Sequence, residues 1–585
     1  MIFVSARLRA IMTFVKFLYP LLLILLMLFA IAPLEYPGAF QSHSGLLAYY
    51  NLIDLDQNPT QFFAWAPLGG RTFDLFRTEG ALPYWLAEIF HLLGLSYLHA
   101  IKLVYALAWL ASGLAMYALA RRWFSENGAL LAAIVYVYLP YHIATVYVRG
   151  AFAEAVAWAL FPLVLMTADC RQQSADHKPQ AFVLRLLPLT FLFLTQPGLA
   201  ILFALVTFGI VMALTVHPNL SLRAVFAKQS PTLPTKDRSA EIASSQKTLL
   251  AMTPERLLVL QRHIGALASW LIGSLLLGAL LYLPAVLRYG AAIARDGFQP
   301  NYVFPFQLFA ALWGLGESTG SFLDRFPFQL GVVPLGLAII AIGLAWRATD
   351  EPRDLRRSVA IFFGVIIALT MLTFEIAAPL WYVLGMFVTY PWQLLAFVGL
   401  ALAIVAGAAI EFEPRLVRPP MLAFFVALPI VASYGYLAPR FLDANPTRPP
   451  IATFGNNEIV LLDYRIVGPL RHGATVRLHL TWQALRQVNH DYTVFVHAVH
   501  EDGKVYAQED SKPQDGASPT IHWKPGQVIS DTHTIQIDVE GPREGYHIEF
   551  GLYVAATGRR APTDVGLDFV RVPRPGDPEP FVPTR

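Results

Sequence analysis

Runs of about 17–25 mostly apolar residues recur along this chain, each long enough to cross a bilayer as a helix. They start near Thr13, Ile101, Gly128, Ala151, Phe182, Gly198, Ile264, Leu330, Val359, Pro391 and Pro420. The fifth is short and meets the sixth at Gln196-Pro197-Gly198. Only 14% of the residues are charged and the mean hydropathy is +0.50, where a soluble domain carries roughly a quarter charged residues. The expected fold is therefore an α-helical polytopic membrane protein with about eleven transmembrane helices. The first run follows basic residues and continues to Ala32 without a small-residue cleavage site, so it reads as a retained helix and not a signal peptide. Ile376 to Tyr390, broken by Pro379 and holding Trp381 and Tyr382, reads as an interfacial segment.

Charge gives the expected orientation. With the N-terminus in the cytoplasm and strict alternation, the cytoplasmic segments hold 21 Lys and Arg residues, and the opposite side about seven before the C-terminal region. This is the positive-inside pattern, and it places the C-terminal region outside the plasma membrane. The formal net charge of +3 gives no case for nucleic-acid binding. The single cysteine, Cys170, rules out an internal disulfide and a cysteine-built zinc site.

The expected organisation is a membrane part over 1–437, a linker over 438–450, a β-sandwich over 451–575 and a tail over 576–585. Within the membrane part lie a first outer loop (33–99), a cytoplasmic loop (217–263) and a second outer loop (288–329). In the cytoplasmic loop KQSPTLPTKDRSAEIASSQK is polar and lacks aromatics, a composition that favours disorder. Thr253-Pro254 then reads as a helix start, Thr253 as N-cap and Pro254 as first helical residue. Past APRFLDANPTRPP the period changes from helical to two, as in TVRLHLTW, TVFVHAVH, HTIQIDV and YHIEFGLYV. Short alternating strands separated by Asp502-Gly503 and Pro525-Gly526 suggest an all-β sandwich. Trp482 and Trp523 read as core. Most of its histidines, among them His497, His500, His522, His533 and His547, read as surface residues, so no metal site is assigned.

No Walker A loop, GxGxxG, HExxH or GxSxG is present, which leaves no case for an ATPase, a dinucleotide enzyme, a zinc protease or a serine hydrolase. No cofactor is expected, and a divalent metal has no support. The ionisable residues of interest cluster at the expected outer face: Glu35, His43, Asp54, Asp56, Arg71, Asp74, Arg77, Glu79 and Glu88; then His142, Arg149 and Glu154; then Arg288, Arg295, Asp296, Glu317, Asp324 and Arg325. Aromatics are interleaved in AYYNL, FFAWAP and YPWQL. Arginine holds phosphate by bidentate hydrogen bonds, a carboxylate deprotonates a hydroxyl, and aromatic faces stack on sugars. The same residues also have structural readings. Trp and Tyr anchor at any membrane interface. Arg149 and Glu154 are five apart, a poor spacing for contact on one helix. Asp54-Leu55-Asp56 is DxD only by letter.

YVRGAFAEAVAWALFPLVLM, residues 147–166, resembles the RGxxAExxAxxLxPLVL segment of the 6-pyruvoyl-tetrahydropterin synthase-related family of bacterial membrane proteins. FFAWAP, ALPYWLAEIFHLLGLSYLHAIKLVYAL, LLYLPAVLRYG, VFPFQLFAALWGLGES, FQLGVVPLGLAII and TYPWQLLAFVGLALAIVAGAAI extend the resemblance through most of the membrane part. The C-terminal strands resemble a sandwich often appended to such proteins. That family resembles GT-C glycosyltransferases, which take sugars from polyprenyl phosphate at the outer membrane face. The resemblance implies a GT-C-like bundle, a lipid-linked sugar donor and an envelope glycan or protein as acceptor. It implies that Arg149 binds the lipid phosphate with Arg288, that Glu154 orients Arg149, and that His142, Trp65, Tyr390 and Trp392 line the substrate site. Relatives are expected to carry Asp and His in a DGxxHLYR-like segment. Here SHSGLLAYYNL has Ser44 and Ala48 at those places, which leaves Glu35, Asp54 or Asp56 as the first-loop base. A non-catalytic relative that binds lipid-linked glycans, or a transporter of a lipid-linked saccharide, are the other readings.

Overall fold

The computed structural model describes residues 2–68, 73–168, 179–215, 254–293, 301–315, 318, 320–348, 353–447, 450–563 and 568–572. Cys170, Arg71, Arg295, Asp296, Glu317, Thr253 and the polar stretch 228–247 lie outside them. The helices are α1 (Ile2–Ile31), α2 (Gly45–Asp56), α3 (Leu82–Leu92), α4 (Tyr97–Ala120), α5 (Glu126–Val137), α6 (Pro140–Tyr147), α7 (Phe152–Ala168), α8 (Pro179–Thr195) and α9 (Pro197–Thr215). After these come α10 (Pro254–Tyr289), α11 (Val332–Arg347), α12 (Arg353–Leu372), α13 (Ala378–Leu384), α14 (Leu395–Gly407), α15 (Ala409–Phe412) and α16 (Pro419–Ser433). The helix expected to start at Pro254 does so, and 254–263, placed in a loop by the sequence, is its first three turns.

A helix stands at each of the eleven apolar runs. Seven are long and apolar enough to cross a membrane alone, or eight if α5 and α6, bent by 43°, form one broken span. The expected count of eleven is not reached on length and composition, because α7, α8 and α11 are shorter. The reason is visible in α7: nearly all its residues are buried against other helices, and a helix enclosed by protein need not match the lipid thickness. The break at Leu139-Pro140 follows from proline chemistry. Pro140 lacks an N–H and pushes Leu139 into an extended conformation (ψ 126°).

α14 is buried along its whole length, so the bundle is built around it. It crosses α5 where both present small residues: a Cβ on Gly407 would lie 2.6 Å from Ala132 Cβ and 2.7 Å from Gly128 O. Small residues at such a crossing let backbones approach and gain packing. On the periphery, Leu21, Leu25 and Leu28 of α1 and Leu276 and Leu280 of α10 point outward, as lipid-facing positions must. The segment 376–390 contains the short helix α13, with Trp381 buried and Tyr382 exposed.

The C-terminal strands run from β1 (Ala452–Phe454) to β9 (Val570–Val572), with β2 (Ile459–Val467), β3 (Thr475–Ala484), β4 (Tyr492–His500), β5 (Val505–Ser511), β6 (Val528–Gln536), β7 (Tyr546–Val554) and β8 (Arg559–Arg560) between. They pair antiparallel in two sheets, β1-β2-β3-β6 and β5-β4-β7-β8, with β9 also on β7. β6 alternates exposed and buried along its whole length, the period read from sequence. Trp482 and Trp523 are core residues, as expected. His533 is a correction: it is 2% exposed. It lies between Glu509 of β5 (Nδ1 to Oε2 2.6 Å) and Asp531 of its own strand (Nε2 to Oδ2 2.8 Å), so it bridges the two sheets.

The sandwich docks on the segment after α1. Asn457 Nδ2 donates to Ser42 O (2.7 Å), Gln41 Nε2 to Asn456 O (2.6 Å), and an Arg486 N–H to Gln41 Oε1 (2.6 Å). Leu46 and Tyr50 pack with Leu442, Val460, Leu462 and Leu485 in a small apolar cluster at this junction. The bundle face that carries the sandwich is the sandwich face below.

Candidate functional site

α6 ends at Tyr147 and α7 begins at Phe152, and the connection is Val148-Arg149-Gly150-Ala151. Gly150 sits at φ 61°, and a Cβ there would come within 2.5 Å of Gly45 N and of Ser42 Oγ. Glycine is required both by the backbone and by the approach of the 42–45 segment. That segment holds the turn: Ser44 donates from both N (2.9 Å) and Oγ (2.8 Å) to Arg149 O, and His43 N donates to Val148 O (3.0 Å). Ser44, at the expected place of an acid, is thus a backbone clamp on Arg149.

Arg149 and Glu154 meet in two parallel hydrogen bonds of 2.6 Å, Nη1 to Oε1 and Nη2 to Oε2. The expectation of poor contact is corrected. The spacing rule holds on a continuous helix, whereas here the break at Gly150 turns Arg149 back over the first turn of α7. Arg149 is 7% exposed and Glu154 0%. The guanidinium lies 4.5 Å from the Trp392 ring centroid and 5.8 Å from that of Tyr141. Tyr390 stacks on Trp392 at 4.7 Å, and Phe326 packs on it at 4.8 Å. Arg149, Glu154, Trp392 and Tyr390 are therefore brought together from segments more than 200 residues apart.

The first-loop carboxylate whose charge reaches Arg149 is Glu79, not one of the three singled out from the sequence. Tyr84 Oη donates to Glu79 Oε2 (3.0 Å) and accepts from Asn51 Nδ2 (3.2 Å). Tyr84 and Tyr105 both pack on the Phe152 ring, at 5.2 and 5.1 Å, and the buried Tyr105 hydroxyl has no hydrogen-bond partner among the described residues. Glu79 was one loop acid among several in the sequence, with no spacing signal to mark it; nor did anything mark Tyr84 or Tyr105. His43 stacks on Phe326 at 5.5 Å and faces Leu315 O at 3.3 Å. Burial lowers its pKa to about 4, with the bond to Leu315 O opposing and the charge of Arg149 adding to the shift, so it is a neutral imidazole.

The other expected residues are committed to different partners. Asp54 accepts from Trp65 Nε1 (2.7 Å) and from Asn58 Nδ2. Asp56 accepts from Tyr97 Oη (2.6 Å). Glu35 is exposed, and its charge acts on Lys102. His142 is a core residue, stacked on Trp158 at 4.1 Å with Nδ1 facing Tyr136 O at 3.0 Å. Arg288 lies over the Tyr289 ring at 4.8 Å. Between the 43–47 segment and Thr453 and Asn457 of the sandwich is a narrow cleft of about 10 Å3, the room of one water.

The 6-pyruvoyl-tetrahydropterin synthase related domain, described as a membrane protein, matches residues 79–227. This stretch contains Glu79, Tyr84, Tyr105, Arg149 and Glu154. No curated protein matches the chain in sequence. Among solved structures it is similar to the apo oligosaccharyltransferase of Archaeoglobus fulgidus (14% identity, TM-score 0.39, covering 72% of this chain and 56% of that one). It is also similar to the arabinofuranosyltransferase AftD from Mycobacteria (16%, 0.42, 73% and 27%) and to ArnT from Cupriavidus metallidurans bound to undecaprenyl phosphate (13%, 0.37, 71% and 69%). The chain spans about half the length of the oligosaccharyltransferase and about a quarter of AftD, and likenesses this weak carry no mechanism across. The chain is a membrane protein whose residues 79–227 match the 6-pyruvoyl-tetrahydropterin synthase related domain.

Proposed function

We propose that the chain is a membrane glycosyltransferase of the GT-C kind, taking a sugar from a polyprenyl-phosphate donor at its sandwich face and passing it to an envelope acceptor. In this reading the sandwich face is extracytoplasmic and the N-terminus cytoplasmic, as the Lys and Arg distribution favours. The observation that carries the reading is the charged and aromatic cluster at that face. Ionisable residues enclosed by a helix bundle are costly and mark functional sites by default. Here Arg149 and Glu154 are enclosed with Tyr141 and Trp392, and Glu79 and Tyr390 are half-buried.

The chemistry is a direct displacement. Glu79 removes the proton of an acceptor hydroxyl, whose oxygen attacks the anomeric carbon. The bond from that carbon to the phosphate oxygen breaks, and polyprenyl phosphate leaves with the electron pair. Arginine has five N–H donors; Glu154 takes two of them and Tyr141 Oη a third. The remaining two stabilise the leaving phosphate while Glu154 fixes the plane of the guanidinium. Trp392 and Tyr390 offer faces to the sugar.

A second reading, a non-catalytic relative that binds the lipid-linked sugar, is favoured by Ser44 standing where an acid is expected. Native mass spectrometry with polyprenyl-phosphate sugars, together with a transfer assay, separates the two. For the enzyme, the wild type retains donor and turns it over, and Glu79→Gln retains donor but loses on the order of 10²–10⁴-fold in rate, the range of general base catalysis. Arg149→Lys, which keeps the charge without the fork, loses donor retention at least tenfold. Donor retention without turnover in the wild type supports the second reading. No retention in the wild type would sink both.

A further inference from the structure

α3 is built inside out for a helix at a water surface. Residues 93–96 alone separate it from α4, and it packs on α2 and α4. Its polar side chains turn inward. Tyr84 accepts from Asn51 of α2 and donates to Glu79, and Glu88, the one Asp, Glu, Lys or Arg of the helix, is 4% exposed. His91 stacks on Tyr97 at 3.9 Å, and Tyr97 donates to Asp56 of α2. The side chains left outside are aliphatic. Leu86 and Ile89 are exposed, and Leu92 and Leu93 are 71% and 77% exposed. Their spacing places them along one helix face. Phe63 adjoins that face. It is 69% exposed and packs on Trp85 at 5.8 Å, and Trp85 Nε1 donates to Phe62 O (3.0 Å). Five large apolar side chains thus form an outward strip with no charged residue among them.

What covers the strip follows from its height. α4 is long and apolar enough to cross a membrane. Its N-cap is Ser96, whose Oγ accepts from His99 N (3.3 Å), and Leu98 packs at the sandwich junction. The start of α4 therefore marks the bilayer boundary at the sandwich face, and Leu92 and Leu93 stand just before it in the chain. The eleven residues of α3 extend about 16 Å at 1.5 Å per residue, against a hydrocarbon core of roughly 30 Å, so α3 cannot span. A helix attached at the boundary, too short to cross and apolar on its outer side lies in the plane of the membrane. Such helices sink their apolar face by ~5–10 Å, to the boundary of headgroups and acyl chains. We propose that α3 is seated in this way in the leaflet at the sandwich face, with Leu86, Ile89, Leu92, Leu93 and Phe63 against lipid and Trp85 at the headgroup level, where indole rings collect. The polar half of α3 rests on α2 and α4 instead of on water. Because Tyr84 of the same helix holds Glu79, this seat also fixes how far Glu79 stands from the lipid surface. The inference makes no use of the glycosyltransferase reading.

Fluorescence quenching on the full chain in phosphatidylcholine vesicles tests the seat. Cys170→Ser gives a background without cysteine, and Ile89→Cys and Leu93→Cys each carry one bimane label on it. Leu276→Cys of α10 is the lipid-facing control and Glu540→Cys of the sandwich the aqueous one, both at exposed positions. The quenchers are lipid with a nitroxide near the headgroup end of its acyl chain, lipid with the nitroxide at the chain terminus, and iodide in the buffer. In Ile89→Cys and Leu93→Cys the nitroxide near the headgroup quenches more than the one at the chain terminus, and iodide quenching falls several-fold below that in Glu540→Cys. Leu86→Cys and Phe63→Cys repeat the reading at the other end of the strip, so the loss of one variant to misfolding does not remove the test. Iodide quenching equal to that in Glu540→Cys means a strip in water and overturns the proposal. Stronger quenching from the chain terminus means a helix sunk in the bilayer interior and overturns it too. Protection from all three quenchers, relieved when the protein is diluted into more lipid, means that a second copy covers the strip, and it overturns the lipid seat; so does protection that dilution leaves unchanged, which means cover by the chain itself.

Discussion

Arg149 and Glu154 show what one residue position can decide. Their types were legible in the sequence, and so was the need for a partner, because an enclosed arginine without one is untenable. Their contact was not legible, since it depends on Gly150 adopting a left-handed conformation that no spacing rule encodes. Removing one member leaves the other charge buried alone, so Arg149→Ala and Glu154→Ala should each destabilise by roughly 3–5 kcal/mol. The double variant should recover part of that loss, as read in denaturation melts in detergent. Tyr105→Phe should behave oppositely. It removes a buried hydroxyl with no partner among the described residues, so it should leave stability unchanged or raise it, while the donor retention expected of the site falls. His533 gives a pH signature in the sandwich. Burial opposes its charge, but hydrogen bonds and charge from Asp531 and Glu509 outweigh burial and raise its pKa to about 9. The folded value lies above the unfolded one of ~6.5, so its contribution, on the order of 3 kcal/mol, is full below about pH 6.5 and lost as pH rises through about 9. Burial works against the ionised forms of Glu509 and Asp531 too, but His533 holds both below the usual carboxylate range. Their contribution is present above about pH 4.5 and fades as pH falls through their lowered values. The melting temperature should therefore have a plateau between about pH 5 and 6.5 and decline toward pH 9, and His533→Gln should abolish the alkaline part of that decline.

At the scale of elements, apolar runs reported helices well and lengths poorly. The composition of α7 and α14 is that of any membrane span, yet both are enclosed, and the sequence has no mark that separates a lipid-facing run from one surrounded by protein. The strands were legible through their period, because one face of each sheet meets a core; His533 shares the buried face of β6 with Ile529 and Ile535, and its residue type, which reads as polar and outward, hid the carboxylates that accept it there. The junction of sandwich and bundle was not legible at all. It is made by Gln41, Ser42, Asn456, Asn457 and Arg486, polar residues of a kind found in any loop. Yet the same segment, two residues on, clamps Arg149 through Ser44. Docking of the sandwich and the shape of the Arg149 turn are linked through four consecutive residues. Asn457→Ala, which loses one hydrogen bond of about 1 kcal/mol, should speed hydrogen exchange at the amides of His43 and Ser44, both bonded to the turn, and leave α5 and α14 protected. Unchanged exchange at those two amides would show that the turn is set without the sandwich.

For the molecule as a whole, the arrangement has a consequence for the order in which it is made. α5 and α14 pack through Gly128, Ala132 and Gly407, but more than 250 residues separate them along the chain. As a ribosome delivers the helices one by one, α5 and α7 enter the membrane long before the helix that will enclose them exists. Until then the bundle has a helix-wide vacancy at its centre, and the faces meant for α14 must be covered by lipid or by a neighbouring protein. A nascent chain halted before Leu395 should for that reason expose α5 and α7 to photo-crosslinking by lipid, and release of the next twenty or so residues should extinguish the signal.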